Sequence, residues 1–330
     1  MYKSVLVSLL LTLFIWTNLI SQENTADKQV NMPVLYGILK TKAEFDLDNS
    51  RMRFEVRNAR FGAKGKINPF VSYKVEIDLS DEGKMKMLDA FVRFTPVANL
   101  DFYMGQRKIP FSSDYIRSPA EGIFANRSFL AKYINEGMRD IGFYANYKFT
   151  GSVPVDMLVG AVNGTGNNNP QWIDKPNLVG RLLVGAEKGI RGAGNVYYGE
   201  GINMEHLAMY GGEVRYSAGS LFLESEYISR NWTDTLSIRN HADGIYIHSY
   251  YNFKLNSKMI CMLTPAARID FIGNSVFRNE ADASRLTFGL NAGFEPKQFI
   301  AEIRLNYEHY IKSSLPIHTD KITLEFIASF

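Results

Sequence analysis

The most restrictive feature of this chain is a strict alternation of apolar and polar residues, sustained over segments of about ten residues and repeated from end to end. In FIAEIRLNYEHY, Phe299, Ala301, Ile303, Leu305 and Tyr307 alternate with Glu302, Arg304, Asn306 and Glu308. In FVSYKVEIDLS, Val71, Tyr73, Val75, Ile77 and Leu79 share one face, and Ser72, Lys74, Glu76 and Asp78 share the other. RLTFGLNAGFE follows the same rule, and so does the last stretch, KITLEFIASF, which stops on Phe330. Helical spacing would scatter these sets, whereas strand spacing segregates them. Strands of soluble proteins are commonly about half as long, and roughly ten tilted residues is what a strand needs to cross a bilayer.

The N-terminus fits export. Lys3 precedes an apolar run from Val5 to Trp16, and Ser21 offers a small residue for cleavage, with the mature chain starting near Gln22. Beyond it, no apolar run is long enough to cross a bilayer as a helix, so a membrane role requires strands. Residues 1–21 are read as a signal peptide, 22–35 as a short periplasmic segment and 36–330 as the barrel. The formal net charge is only +3, which argues against a nucleic-acid surface. A single cysteine, Cys261, excludes an internal disulfide framework. Aromatic residues, at 13% of the chain, suit strands and the interfacial girdles of membrane barrels.

Connections alternate in length. Gly65–Pro69, Thr95–Asn99, Thr150–Pro154, Ser217–Ser220, Leu255–Ser257 and Glu295–Lys297 are tight, whereas Ser112–Asn135, Gly164–Pro176, Asn231–Asp243 and Ile272–Ala283 read as long loops. Fifteen strands are directly legible. An even number is required when both termini lie on one side, and Gly192–Gly201 supplies the missing one. The expected fold is therefore all-β: a transmembrane antiparallel β-barrel of about 16 strands, with 14 as the alternative, long extracellular loops and short periplasmic turns.

The segments RMRFEVRNARFGAKGKINPF, DAFVRFTPVANLDFYMGQRKIPFSSD, MRDIGFYANYKF and NLVGRLLV resemble the phosphate-selective porin O and P family, with Gly105–Phe111 the most specific piece. The resemblance extends over nearly the whole mature chain. It implies a bacterial outer-membrane channel, commonly trimeric, narrowed by an internally folded loop and lined by arginines and lysines in its anion-selective members. The end of the chain also resembles the C-terminal signal recognised by barrel-assembly machinery, with Phe326 and Phe330 as its aromatic residues.

Selectivity in such pores comes from charged rings at close quarters. The candidate constriction is the loop 112–135, too long for a connector and rich in apolar residues, which suggests that it folds back and packs. Its anion-binding candidates, with those flanking it, are Arg107, Lys108, Arg117, Arg127, Lys132 and Arg139. Candidate pore-wall cations are Arg53, Arg57, Lys74, Arg93, Arg181 and Arg304. Carboxylates such as Glu44, Glu76, Asp78, Glu224 and Asp270 share the inward faces, so the wall reads as mixed and solvated, without a pure arginine ladder.

Five histidines, His206, His241, His248, His309 and His318, show no metal spacing, and no glycine-rich phosphate cradle follows a strand. His248 and Ser249 point to opposite faces of one strand and cannot form a nucleophile–base pair. No enzymatic activity, metal or cofactor is expected. The expected partners are outer-membrane lipid, small anionic or polar solutes, the assembly machinery and two further copies of the chain in a homotrimer, and no nucleic acid. The rival reading is a non-conducting barrel that anchors a surface secretion or adhesion complex.

Overall fold

The computed structural model describes residues 32–81, 84–135, 139–278, 280–294, 300–314 and 319–330. The expected signal peptide and most of the segment 22–35 lie outside the described residues. The strands run in chain order β1 (Val34–Asp46), β2 (Arg51–Lys66), β3 (Val71–Asp81), β4 (Lys84–Val97), β5 (Leu100–Lys108), β6 (Arg139–Phe149), β7 (Val155–Val162) and β8 (Asn177–Val184). They continue with β9 (Gly189–Gly201), β10 (Met204–Ala218), β11 (Leu221–Asp234), β12 (Arg239–Tyr251), β13 (Phe253–Lys254), β14 (Ile260–Ser275), β15 (Glu280–Phe294), β16 (Ile300–Ser313) and β17 (Lys321–Ser329). Segments β12 and β13 both pair with β14 and form one interrupted strand, so the barrel has 16. The strand expected at Gly192–Gly201 is present as part of β9, paired to both β8 and β10.

Closure is complete. β17 pairs with β1 from Ile38↔Ser329 to Asp46↔Lys321. One step further, Gly37 and Phe330 exchange two backbone hydrogen bonds of 2.9 and 3.0 Å, so the ladder uses the last residue. The Phe330 ring covers Gly37 so closely that a Cβ there would lie 2.4 Å from its Cζ. Among the described residues every strand is paired on both sides, the condition for a sheet to survive in a membrane.

The alternation sorts the two faces as expected. Leu39, Phe54, Val75, Val92, Met104, Phe143, Val159 and Phe326 stand exposed on the outer surface, while Lys40, Glu44, Glu76, Asp78, Asp89 and Glu325 are buried on the inner one. Such an outer surface would be unfavourable in water and is at home in lipid. At tight turns, Asn99 and Gly219 take left-handed backbone conformations (φ 67° and 58°), which asparagine and glycine tolerate best.

Two expected loops are corrected. Asn231–Asp243 is mostly ladder, since β11 and β12 stay in register as far as Thr233↔Arg239. Ile272–Ala283 is likewise shortened, because β14 and β15 continue to Ser275↔Glu280. Polar residues there mark strands rising beyond the lipid band, where both faces meet water; loss of alternation did not mean loss of the sheet. The register also shifts between Lys40 and Thr41, leaving Arg57 opposite no partner. This bulge moves the inward set of β2 from Arg53 and Glu55 to Asn58 and Arg60.

Candidate functional site: the lumen and its inward loop

The chain between β5 and β6 turns into the barrel. After Lys108 it forms a short α-helical turn at Ser113–Ile116 and a π-helical turn at Leu130–Ile134. Its backbone is held by wall side chains around the ring. Ser112 Oγ and Ser113 N donate to Glu226 at 3.1 Å each. Arg304 donates to Ala120 O, Asn291 to Ile123 O, and Ala125 N donates to Asn306. Asp270 accepts Phe129 N at 3.0 Å while pairing with Arg268 and Arg285, whose outer nitrogens donate to Asn126 O and Arg127 O.

Apolar packing fastens the loop to one side. Ile109, Phe111, Phe129, Leu130 and Ile134 are buried with Tyr144, Leu158, Val162, Val179, Tyr197, Leu207, Met209 and Ile228, all projecting inward from β6–β11. Each buried side chain of this size contributes roughly 1.5–3 kcal/mol. Sequence reasoning missed this docking wall. The signal was available: VDMLVGAV and NLVGRLLV in β7 and β8 are apolar on both faces, which requires an apolar cover on the lumen side as well as lipid outside.

The remaining lumen holds a cavity of about 680 Å³. Fourteen Lys and Arg residues line it against four carboxylates, Glu44, Glu55, Asp78 and Asp114. The wall is therefore not mixed at its surface. The acids are present but withdrawn: Glu76, Asp89, Glu224, Asp270, Glu308 and Glu325 are buried and do not line the cavity, while each holds at least one cation that does. Arg139 lies 3.0 Å from Asp89, Lys40 2.9 Å from Glu325, and Arg285 3.2 Å from both Asp270 and Glu308. The expected solvated charges are mostly buried pairs, a correction with a plain cause: the loop removes the water that would have solvated them.

The structure divides the candidate cations. Lys108, Arg117, Arg127, Lys132 and Arg139 are brought together on the cavity, joined by wall residues Arg53 and Arg57. Lys108 is spent on structure, donating to the carbonyls of Tyr115, Ile116 and Arg117 at 2.9–3.0 Å. Arg127 donates to the carbonyls of Asp114 and Arg117. Burial would raise the Asp114 carboxyl, but Arg127, Arg117 and Arg268 outweigh it and hold the group well below the usual carboxylate range. Among the described residues, Arg57 and Lys132 have no carboxylate partner; Lys132 lies 4.8 Å over the Tyr133 ring.

Five candidates are placed away from the cavity and engaged elsewhere. Lys74 pairs with Asp89 at 2.6 Å, Arg181 with Glu213 at 2.7 Å, and Arg304 with Glu302 and Glu325. Arg93 donates to Ser72 at 2.8 Å. Arg107 is also apart, its guanidinium 4.3 Å from the Tyr103 ring centroid and 5.1 Å from that of Tyr144. His248 faces inward and stacks on Tyr246, with ring centroids 5.4 Å apart.

A smaller cavity of about 230 Å³ is lined by Arg117, Glu121, Ile123, Arg215, Phe222 and Tyr250. Arg117 and Ile123 belong to both cavities, so they stand at the junction.

A closed barrel of 16 strands with a lipid-compatible exterior and a charged interior has the architecture of the strand-built proteins of the outer membrane. Residues 36–168 match the family Phosphate-selective porin O and P, which bears out the resemblance read from the sequence over that stretch. No curated protein matches the chain. Among solved structures, it is similar to an anion-selective porin from Comamonas acidovorans (TM-score 0.65, 8% identity, covering 91% of this chain and 99% of that one). Salmonella typhi OmpF in complex with daunomycin is similar too (0.63, 12%, 91% and 98%), as is the outer membrane channel DcaP of Acinetobacter baumannii (0.62, 13%, 94% and 100%). At these identities the likeness concerns the fold.

Proposed function

We propose that the protein is a passive diffusion channel that prefers small anions, phosphate among them, with the loop 112–135 as its constriction. The carrying observation is the layering of charge in the lumen, cations on the cavity surface and acids behind them. An anion meets donors at the surface, whereas a cation finds most carboxylates already occupied. The selectivity residues in this reading are Arg57 and Lys132, which hold no carboxylate, together with Arg53, Arg117, Arg127 and Arg139. Phe326 and Phe330 serve assembly. Assembly as a homotrimer is part of the proposal, supported by likeness to the trimer form of OmpT from Vibrio cholerae (TM-score 0.61, 13% identity).

The test is single-channel recording in a planar bilayer under a KCl gradient, repeated with potassium phosphate. The expected reversal potential is that of an anion-preferring pore. R57Q/K132Q removes two lumenal charges without touching the loop's tethers and should shift that potential toward zero. An unchanged potential would remove these residues from the account. A cation-preferring wild type would overturn the preference itself, and a silent barrel would favour the anchoring role.

A further inference from the structure

The junction between the two cavities contains an anion that belongs to the protein. The Glu224 carboxylate accepts Arg117 Nη2 at 2.8 Å through Oε1 and at 2.7 Å through Oε2. Arg215 also reaches Oε2, with Nε at 2.7 Å and Nη2 at 2.6 Å. Tyr246 donates its hydroxyl to Oε1 at 2.7 Å, and His248 Nε2 lies 3.9 Å from the same oxygen. Arg117 lines both cavities, Arg215 the smaller one, and Tyr246 and His248 the larger. Glu224 lines neither. Two guanidiniums and a phenol hydroxyl converging on one carboxylate form the donor set that would bind a transiting carboxylate or phosphate.

We propose that Glu224 is a resident competitor: it occupies the donors at the junction, so that a passing anion is exchanged onto them weakly and released. The inference rests on the anion-channel reading. Its physical basis is that conduction needs binding favourable enough to admit an ion and weak enough to let it leave. Without Glu224, Arg117 would keep only the more distant Asp114, 3.9 Å away, and Arg215 would lose the carboxylate it pairs with. Mobile anions would then be trapped there rather than passed on. Glu224 is accordingly a specificity-setting residue that acts through two arginines, with no need to touch the solute.

The experiment is conductance against concentration for chloride and for inorganic phosphate, in wild type and E224Q, in planar bilayers. Glutamine keeps the shape and an acceptor oxygen while removing the charge. The half-saturating anion concentration should fall by about tenfold or more in E224Q, the scale of one unit charge acting across a few ångströms of partly screened space. The reversal potential should stay on the anion side. E224D, whose shorter carboxylate cannot span both guanidiniums, should fall between the two. Resistance of the folded barrel to unfolding in SDS at room temperature, compared with a boiled sample, identifies any variant that fails to fold. If E224Q misfolds, E224D alone decides. Half-saturation unchanged or raised in the folded variants overturns the role of Glu224 while leaving anion preference standing. A wild type without anion preference removes the reading beneath it.

Discussion

Asp270 is a single side chain on which much of the loop's attachment converges, and its neutralisation should release the loop without opening the barrel. The carboxylate is fully buried, pairs with Arg268 at 2.9 Å and Arg285 at 3.2 Å, and accepts Phe129 N at 3.0 Å. In D270N two buried guanidiniums lose their shared counter-charge. Breaking a buried pair in this way costs about 3–5 kcal/mol. The amide still offers an acceptor to Phe129, and Glu308 still holds Arg285, so the lower end applies. The five apolar anchors, at roughly 1.5–3 kcal/mol each, keep most molecules docked. A loss near 3 kcal/mol nonetheless raises the undocked population by about a hundredfold. Trypsin is too large to enter the lumen, so cutting after Arg127 or Lys132 reports loops that have swung out. Cleavage of the folded barrel should accelerate by about a hundredfold in D270N, with SDS resistance retained. A rate within about twofold of wild type would refute the argument that Asp270 organises the two clasping arginines.

Two further expectations concern the barrel itself. Deleting Phe330 removes both backbone bonds to Gly37, and G37V would push a Cβ into the Phe330 ring, so each should lower the folded yield, read as the SDS-resistant fraction; normal yield in both would separate the terminal residue from closure. Gly105, at φ 128° with a would-be Cβ 2.3 Å from Ala90 O, should tolerate no side chain. G105A is expected to lose about 2 kcal/mol or more in urea unfolding, and a neutral result would show that β4 and β5 can part there without penalty.

Much of the barrel was legible because its two environments are opposite and the strand has period two: Val75 and Glu76 cannot exchange faces without placing a charge in lipid. Strand number followed from parity and the weak run at Gly192. What the sequence concealed was anything set by a third dimension inside the barrel. Glu224 and Arg215 both point inward on adjacent strands and look equivalent as wall charges, yet one is withdrawn and the other lines a cavity. That distinction depends on where the loop lies, and no periodicity encodes it. The bulge at Arg57 was invisible for a related reason: one extra residue in β2 leaves the residue types plausible on either face. The long apolar loop did announce that it packs, and the doubly apolar β7 and β8 announced where, had the two been read together.

The withdrawn carboxylates change what salt can do inside this barrel. A surface of lysines and arginines ordinarily gathers a diffuse cloud of mobile counterions. Here most of that neutralising charge is covalent and sits behind the cations, beyond the reach of exchange with the solution. The lumen thus presents the positive side of a fixed double layer, whose field is short-ranged. Electrolyte can screen it only from the lumen side, over a Debye length of about 8 Å at physiological ionic strength and about 3 Å at 1 M. If the anion preference proposed above holds, its value in molar salt should therefore understate what an ion meets in dilute surroundings, while the buried pairs of the wall stay largely unscreened.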